Sequence, residues 1–297
     1  MKRTLIAAIL AGLALSACGG GDNSSTPAAS GPTIRLTYSG VPLGTTQRAR
    51  AMAAATDVSS AVSAPGVPTG DAQSTIAALQ DAFKARGAEI GVYPGVIDGT
   101  ALHQLVMAEG NGVGPTIEDI AKANVNISEW VLVNFALDDM TGYIDTAEKE
   151  AEFAQFIKDM QTYAGREYLK GRVVFAALPN VSCAAAKVVR SVNENGYVTE
   201  KKYVPTTEAL YFALTSSWGG GLQPIGGILK TDPAHMGADC ETPDQVAKDA
   251  YLASIVDPLV ERYKTALDTI NKCKYNPEAI PENGRSAQCW GIEPVKK

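Results

Sequence analysis

Histidine is almost absent from this 297-residue chain: only His103 and His235 occur, so an imidazole general base has to be one of the two. Basic residues are also in short supply, 26 against 32 acidic, which leaves a formal net charge of −6. Phosphate backbones call for a basic surface, so nucleic acid is excluded as a partner. After the N-terminal segment, no run reaches the ~18 apolar residues that a membrane-spanning helix needs. A Gly-x-Ser-x-Gly elbow, a Walker loop and a dinucleotide fingerprint are all missing, and no cofactor is expected. There are five cysteines, and neither histidine has one at ligand spacing, so no metal site of the zinc type is expected.

What is present begins at the N-terminus. Lys2 and Arg3 form a positive start and Thr4 to Ala14 an apolar run too short to span a bilayer, the pattern of a signal peptide over residues 1–17. Leu15-Ser16-Ala17-Cys18 resembles a bacterial lipobox, in which small residues admit the peptidase and the thiol of Cys18 accepts the diacylglyceryl group that carries fatty chains such as palmitate. Residues 18–33 are a Gly/Ser/Pro/Ala tract of the composition that tethers a lipid to a folded domain. The expectation is a cell-envelope lipoprotein whose partner is the membrane, reached through the lipid on Cys18. Gly19, rather than aspartate, follows the cysteine and points to the outer membrane, on its periplasmic face or its surface. Cleavage takes two basic and no acidic residues, so the mature chain carries −8.

With Cys18 taken by lipid, Cys183, Cys240, Cys273 and Cys289 remain, an even number suited to an oxidising compartment. Three pairings are open. Cys273 with Cys289 is favoured because it would staple a Pro/Asn/Gly-rich tail, residues 276–297, onto the last helix; Cys183 with Cys240 would then join two loops.

Residues 34–275 read as one domain. Strands are expected at Thr33 to Tyr38, Ala88 to Tyr93, Glu129 to Ala136 and Arg172 to Leu178, the last two apolar enough to be buried on both faces. Helical patterns cover Arg48 to Val62, Asp71 to Arg86 with Asp71 as N-cap, Ala101 to Ala108, Thr116 to Ala123, and Asp145 to Leu169 with Phe153, Phe156, Ile157, Met160 and Tyr163 on one side. A last helix spans Pro243 to Lys272 and is expected to break near Pro258. Between Pro179 and Pro243 the chain reads as irregular, with Trp218 and Gly219-Gly220-Gly221 as a surface loop or flap. Strands alternating with helices imply a parallel, flavodoxin-like sheet in a three-layer α/β/α sandwich.

In such sheets ligands bind beyond the carboxyl ends of the strands. The residues there are Ser39 to Gly44, Asp98-Gly99, Leu137-Asp138-Asp139 and Pro179-Asn180. Asp232-Pro233-Ala234-His235 can set a carboxylate against one ring nitrogen and leave the other free to take a proton. His103 reads as a histidine partly packed on a helix. Asp138, Asp139 and Asp145 read as a solvated acidic turn rather than a cation site.

Together these segments resemble the SGNH (GDSL) hydrolases. Asp98-Gly99-Thr100 is similar to the family's second block and Thr116 to Met140 to its third. Asp232 to His235 is similar to the fifth block, and VVFAALPNVSC, from Val173 to Cys183, to a strand segment of bacterial members. The resemblance covers about Ile34 to Leu267. It implies esterase or deacylase chemistry, with His235 and Asp232 as base and orienting acid and Gly99 donating to the oxyanion. Two positions depart from the pattern. Gly40 stands where the family has its serine, with Ser39 one residue early as the available nucleophile. Asp138 stands at the oxyanion asparagine, and an ionised carboxylate has no proton to donate there. The expectation is therefore a degenerate site that binds an envelope glycan, ester or lipid. The alternatives are a working serine esterase using Ser39, His235 and Asp232, or a structural, partner-binding lipoprotein.

Overall fold

The protein is described here from a computed structural model covering residues 33–43, 70–97, 100–137, 141–216 and 221–295. Cys18, Gly99, Asp138, Trp218 and the helix expected at Arg48 to Val62 lie outside those residues.

The chain runs β1 (Ile34–Gly40), α1 (Gly70–Ala85), β2 (Ile90–Pro94), α2 (Leu102–Ala108), α3 (Ile117–Lys122), β3 (Glu129–Asn134), α4 (Ala147–Leu169), β4 (Val173–Ala177), β5 (Lys187–Val192), β6 (Val198–Tyr203), α5 (Thr206–Ser216), β7 (Leu222–Ile225), α6 (Gln245–Tyr275) and α7 (Glu282–Gln288). Five strands form a parallel sheet in the order β2-β1-β3-β4-β7, and β5 and β6 pair separately as an antiparallel hairpin. With helices on both faces this is a three-layer α/β/α sandwich of flavodoxin-like order, as the alternation of elements implies.

Strand periodicity divides the core. Ile34, Leu36 and Tyr38 of β1 point into a layer closed by Ile76, Leu79 and Phe83 of α1 and by Ile255, Leu259 and Val260 of α6. Val131, Val133, Val174 and Ala176 point the other way, toward Val106 of α2, Phe156 and Met160 of α4, and Leu210 of α5. β3 is buried at every position from Trp130 to Asn134, as its unbroken apolar run requires. Local chemistry fixes the helix ends. Thr116 and Asp119 exchange side-chain and backbone bonds as a capping box on α3, and Arg166 of α4 donates to the carbonyls of Val106 and Val113 at 2.9 and 2.7 Å, tying the end of α2 to its neighbour.

Two expectations are corrected. The stretch taken as irregular holds the β5–β6 hairpin, α5 and the fifth sheet strand. The hairpin is exposed at every strand position but Tyr203, so it leaves no apolar alternation to read. β7 is four residues long and contains Pro224, which an edge strand tolerates. The last helix does not break at Pro258 but continues to Tyr275. A proline costs about 3 kcal/mol in a helix interior, and here Ile255, Val256 and Leu259 around it are each fully buried. Burying three such side chains gives roughly 1.5–3 kcal/mol apiece, which outweighs that cost.

Both cysteine pairs are disulfides, Cys183 with Cys240 and Cys273 with Cys289. The second holds the tail against α6, where Cys273 is fully buried.

Candidate functional site

Ser39 is still inside β1, opposite Val133 of β3, and the loop begins only at Val41. Because Tyr38 points to the α1–α6 layer, strand alternation turns Ser39 to the opposite side, toward α4. Its side chain is 1% exposed. The hydroxyl oxygen accepts from the Val96 N–H at 3.1 Å and lies 3.5 Å from the Tyr163 hydroxyl. Val96 also accepts from the Gly40 N–H at 2.7 Å, so Ser39 and Gly40 together stitch the loop after β2 onto the end of β1. Burial pushes the Tyr163 phenol up to about 12, so it stays protonated beside Ser39.

Gly40 allows this close approach. Its φ is +110°, and a Cβ there would fall 2.4 Å from the Asn134 carbonyl oxygen. Asn134, at the end of β3, donates to the Val41 carbonyl at 2.9 Å and reaches the Tyr38 hydroxyl at 3.3 Å. The end of β1 is thus closely packed and internally bonded.

His235 lies elsewhere, on a short 3-10 turn of Pro233–His235 in the long connection from β7 to α6. Its side chain is 40% exposed, and its Nδ1 is 2.9 Å from Asp244 Oδ2. The carboxylate bonded to the imidazole is therefore that of Asp244 and not that of Asp232. Asp232 caps the 3-10 turn instead, accepting from the Ala234 N–H at 2.9 Å. The chain folds back between the two partners: Met236 bridges Pro243, and the Asp244 N–H donates to the His235 carbonyl at 2.9 Å. Asp244 is also the N-cap of α6, accepting from the Ala247 N–H at 2.9 Å. That backbone bond and the one from His235 hold its carboxyl below the usual range, while the bond to Asp244 raises His235. The pair leaves Nε2 turned away from its carboxylate, the arrangement of an oriented base.

Among the described residues no hydrogen bond joins His235 to Ser39, and each has other partners. Of the residues expected to act together, the structure pairs neither Ser39 nor Asp232 side chains with the imidazole. Asp244 was missed because it lies nine residues beyond His235. Its signal was its place as a capping residue just ahead of an apolar periodic run.

His103 also has an acid partner. Its Nδ1 is 2.8 Å from Asp159 Oδ2, Gln155 donates to Asp159 Oδ1 at 2.8 Å, and the Asp159 carboxylate is buried while the imidazole is 56% exposed. A carboxylate in an apolar layer has to be bonded, and both of its oxygens are. At the end of β4, the Asn180 side-chain oxygen is buried with no hydrogen-bond partner among the described residues.

No family model, no curated protein and no solved structure matches this chain.

Proposed function

We infer that this chain is an exported lipoprotein of the cell envelope, anchored at the outer membrane through lipid on Cys18. Its α/β/α domain is of the SGNH-hydrolase kind and binds a glycan, ester or lipid without Ser39-dependent hydrolysis. One observation carries the second half: the Ser39 hydroxyl is buried and bonded to the Val96 amide, on the α4 side of the sheet, while His235 stands on the surface with Asp244. A nucleophile has to meet both its base and its substrate. The export half is supported by the lipobox-like segment ahead of Cys18 and by two disulfides, which persist in oxidising compartments.

The oriented His235–Asp244 pair favours a second reading, an esterase or deacylase, and one assay decides between them. Short p-nitrophenyl esters are offered to the protein and to its Ser39→Ala and His235→Ala forms. The first reading expects no turnover that both changes abolish; turnover lost in both establishes the esterase. The anchor is tested by palmitate labelling of cells expressing the full chain, with label expected on the native chain and absent from Cys18→Ser.

A further inference from the structure

The α1–α6 side of the sheet carries a feature that none of this chemistry uses. A cavity of about 220 Å³ opens between α1 and the first two turns of α6, beside the chain leaving β1. Its apolar wall is made by Leu43, Ala78, Tyr251 and Leu252. Leu43 is held there because its N–H donates to the Thr75 hydroxyl oxygen at 3.2 Å.

The polar rim is asymmetric. Gln245 donates to Asp249 Oδ1 at 2.7 Å, and Asp249 is exposed, so solvent screens the negative charge it keeps. Lys248 lines the same cavity, is only partly exposed, and its ammonium has no ion-pair or hydrogen-bond partner among the described residues. A partly buried, unpaired cation at the edge of an apolar wall suits an anionic head on an apolar body.

We propose that this cavity binds a small amphiphilic carboxylate, its chain against Leu43, Ala78 and Leu252 and its head at Lys248. Size sets the class. At roughly 30 Å³ per water-sized group the cavity takes about seven such groups, fewer than the ~300 Å³ and upward of pockets for drug-sized ligands. A straight chain of six to eight carbons fits; a disaccharide does not. The proposal names a ligand for the binding half of the functional reading. It does not depend on Ser39, so the ester assay and the binding test fail independently.

The test is titration of the full chain with octanoate, followed by amide NMR. Octylammonium, octanol and acetate serve as comparison probes. Octanoate is expected to bind saturably and to shift the amides of α1 and the first turns of α6. Octylammonium and acetate are each expected to bind about tenfold more weakly. Lys248→Gln should weaken octanoate about twofold to fivefold, toward the level of octanol. Ala78→Trp, on the exposed side of α1, should block all the probes while leaving distant amides unchanged. The proposal is overturned if octylammonium matches octanoate, if Lys248→Gln binds as the native protein does, or if no shift saturates by ~10 mM.

Discussion

Replacing Ser39 by alanine separates a structural hydroxyl from a nucleophile, because the two roles move stability and activity in opposite ways. The Ser39 oxygen is the acceptor for the Val96 N–H at 3.1 Å, and the side chain is 1% exposed. The change to alanine therefore strands a partly buried amide rather than exposing it to water. An unmet buried donor costs roughly 1–3 kcal/mol. The Tyr163 hydroxyl, at 3.5 Å, adds little because it is at the limit of bonding distance. Ser39→Ala should then lose about 1–2 kcal/mol, a fall of about 3–6 °C in Tm for a domain of this size. In urea the midpoint should drop with the slope m unchanged. Any ester turnover the protein has should survive. A catalytic serine behaves otherwise, since its loss lowers turnover ~10³-fold or more and often leaves the fold as stable or more so. Stability within about 0.5 kcal/mol of native, together with loss of turnover, would refute the structural assignment.

His235 titration distinguishes its two acids: because the bond to Asp244 is the main cause of the raised value, Asp244→Asn should lower it in a pH series of imidazole NMR spectra, and Asp232→Asn should lower it less. The sign for stability follows. A raised native value favours the fold at pH below the unfolded histidine's ~6.5, and the benefit fades as pH rises through the native value, so the native-minus-Asp244→Asn difference in urea midpoint should shrink from pH 5.5 to pH 8. Pro258→Ala should stabilise by about 1–2 kcal/mol, the ~3 kcal/mol helix cost less the unfolded-state entropy that proline removes; a destabilised variant in thermal melts would mean that the packing of Ile255 and Leu259 depends on the proline. Among the disulfides, sequence separations of 57 and 16 residues give loop-entropy contributions of about 4 and 3 kcal/mol, so Cys183→Ser/Cys240→Ser should unfold at lower urea than Cys273→Ser/Cys289→Ser, and the reverse order would place the larger effect in the buried Cys273 contacts.

The central elements were legible because burial on both faces leaves a strong imprint. Glu129 to Ala136 and Arg172 to Leu178 could hardly be anything but inner strands, and α4 showed its Phe156 and Met160 stripe directly. The hairpin carried no such imprint. Its cross-strand pairs, Arg190 with Glu200 at 2.6 Å and Ser191 with Thr199 at 2.5 Å, become visible only once the register is known. The partner of the imidazole was hidden for a related reason. Asp-x-x-His suggested a local pair, but the 3-10 turn uses Asp232 for its own backbone, and the acid that reaches the imidazole comes from the far end of a folded-back loop. Ser39 was read as a residue near a strand end, whereas alternation inside β1 decides which layer its hydroxyl enters.

The Cys183–Cys240 bridge ties one part of the molecule to the redox state of its surroundings. Neither cysteine belongs to the two apolar clusters that hold the sheet, so the layered body is specified without it. The bridge joins the loop after β4 to the connection that carries His235 and Asp244, where the Cys183 N–H also donates to the Cys240 carbonyl at 3.3 Å. That connection is completed by chemistry rather than by packing, and only where thiols oxidise. The layered body and this surface are thus held by different means: apolar packing for the first, and for the surface bearing the imidazole a covalent constraint that forms only where thiols oxidise.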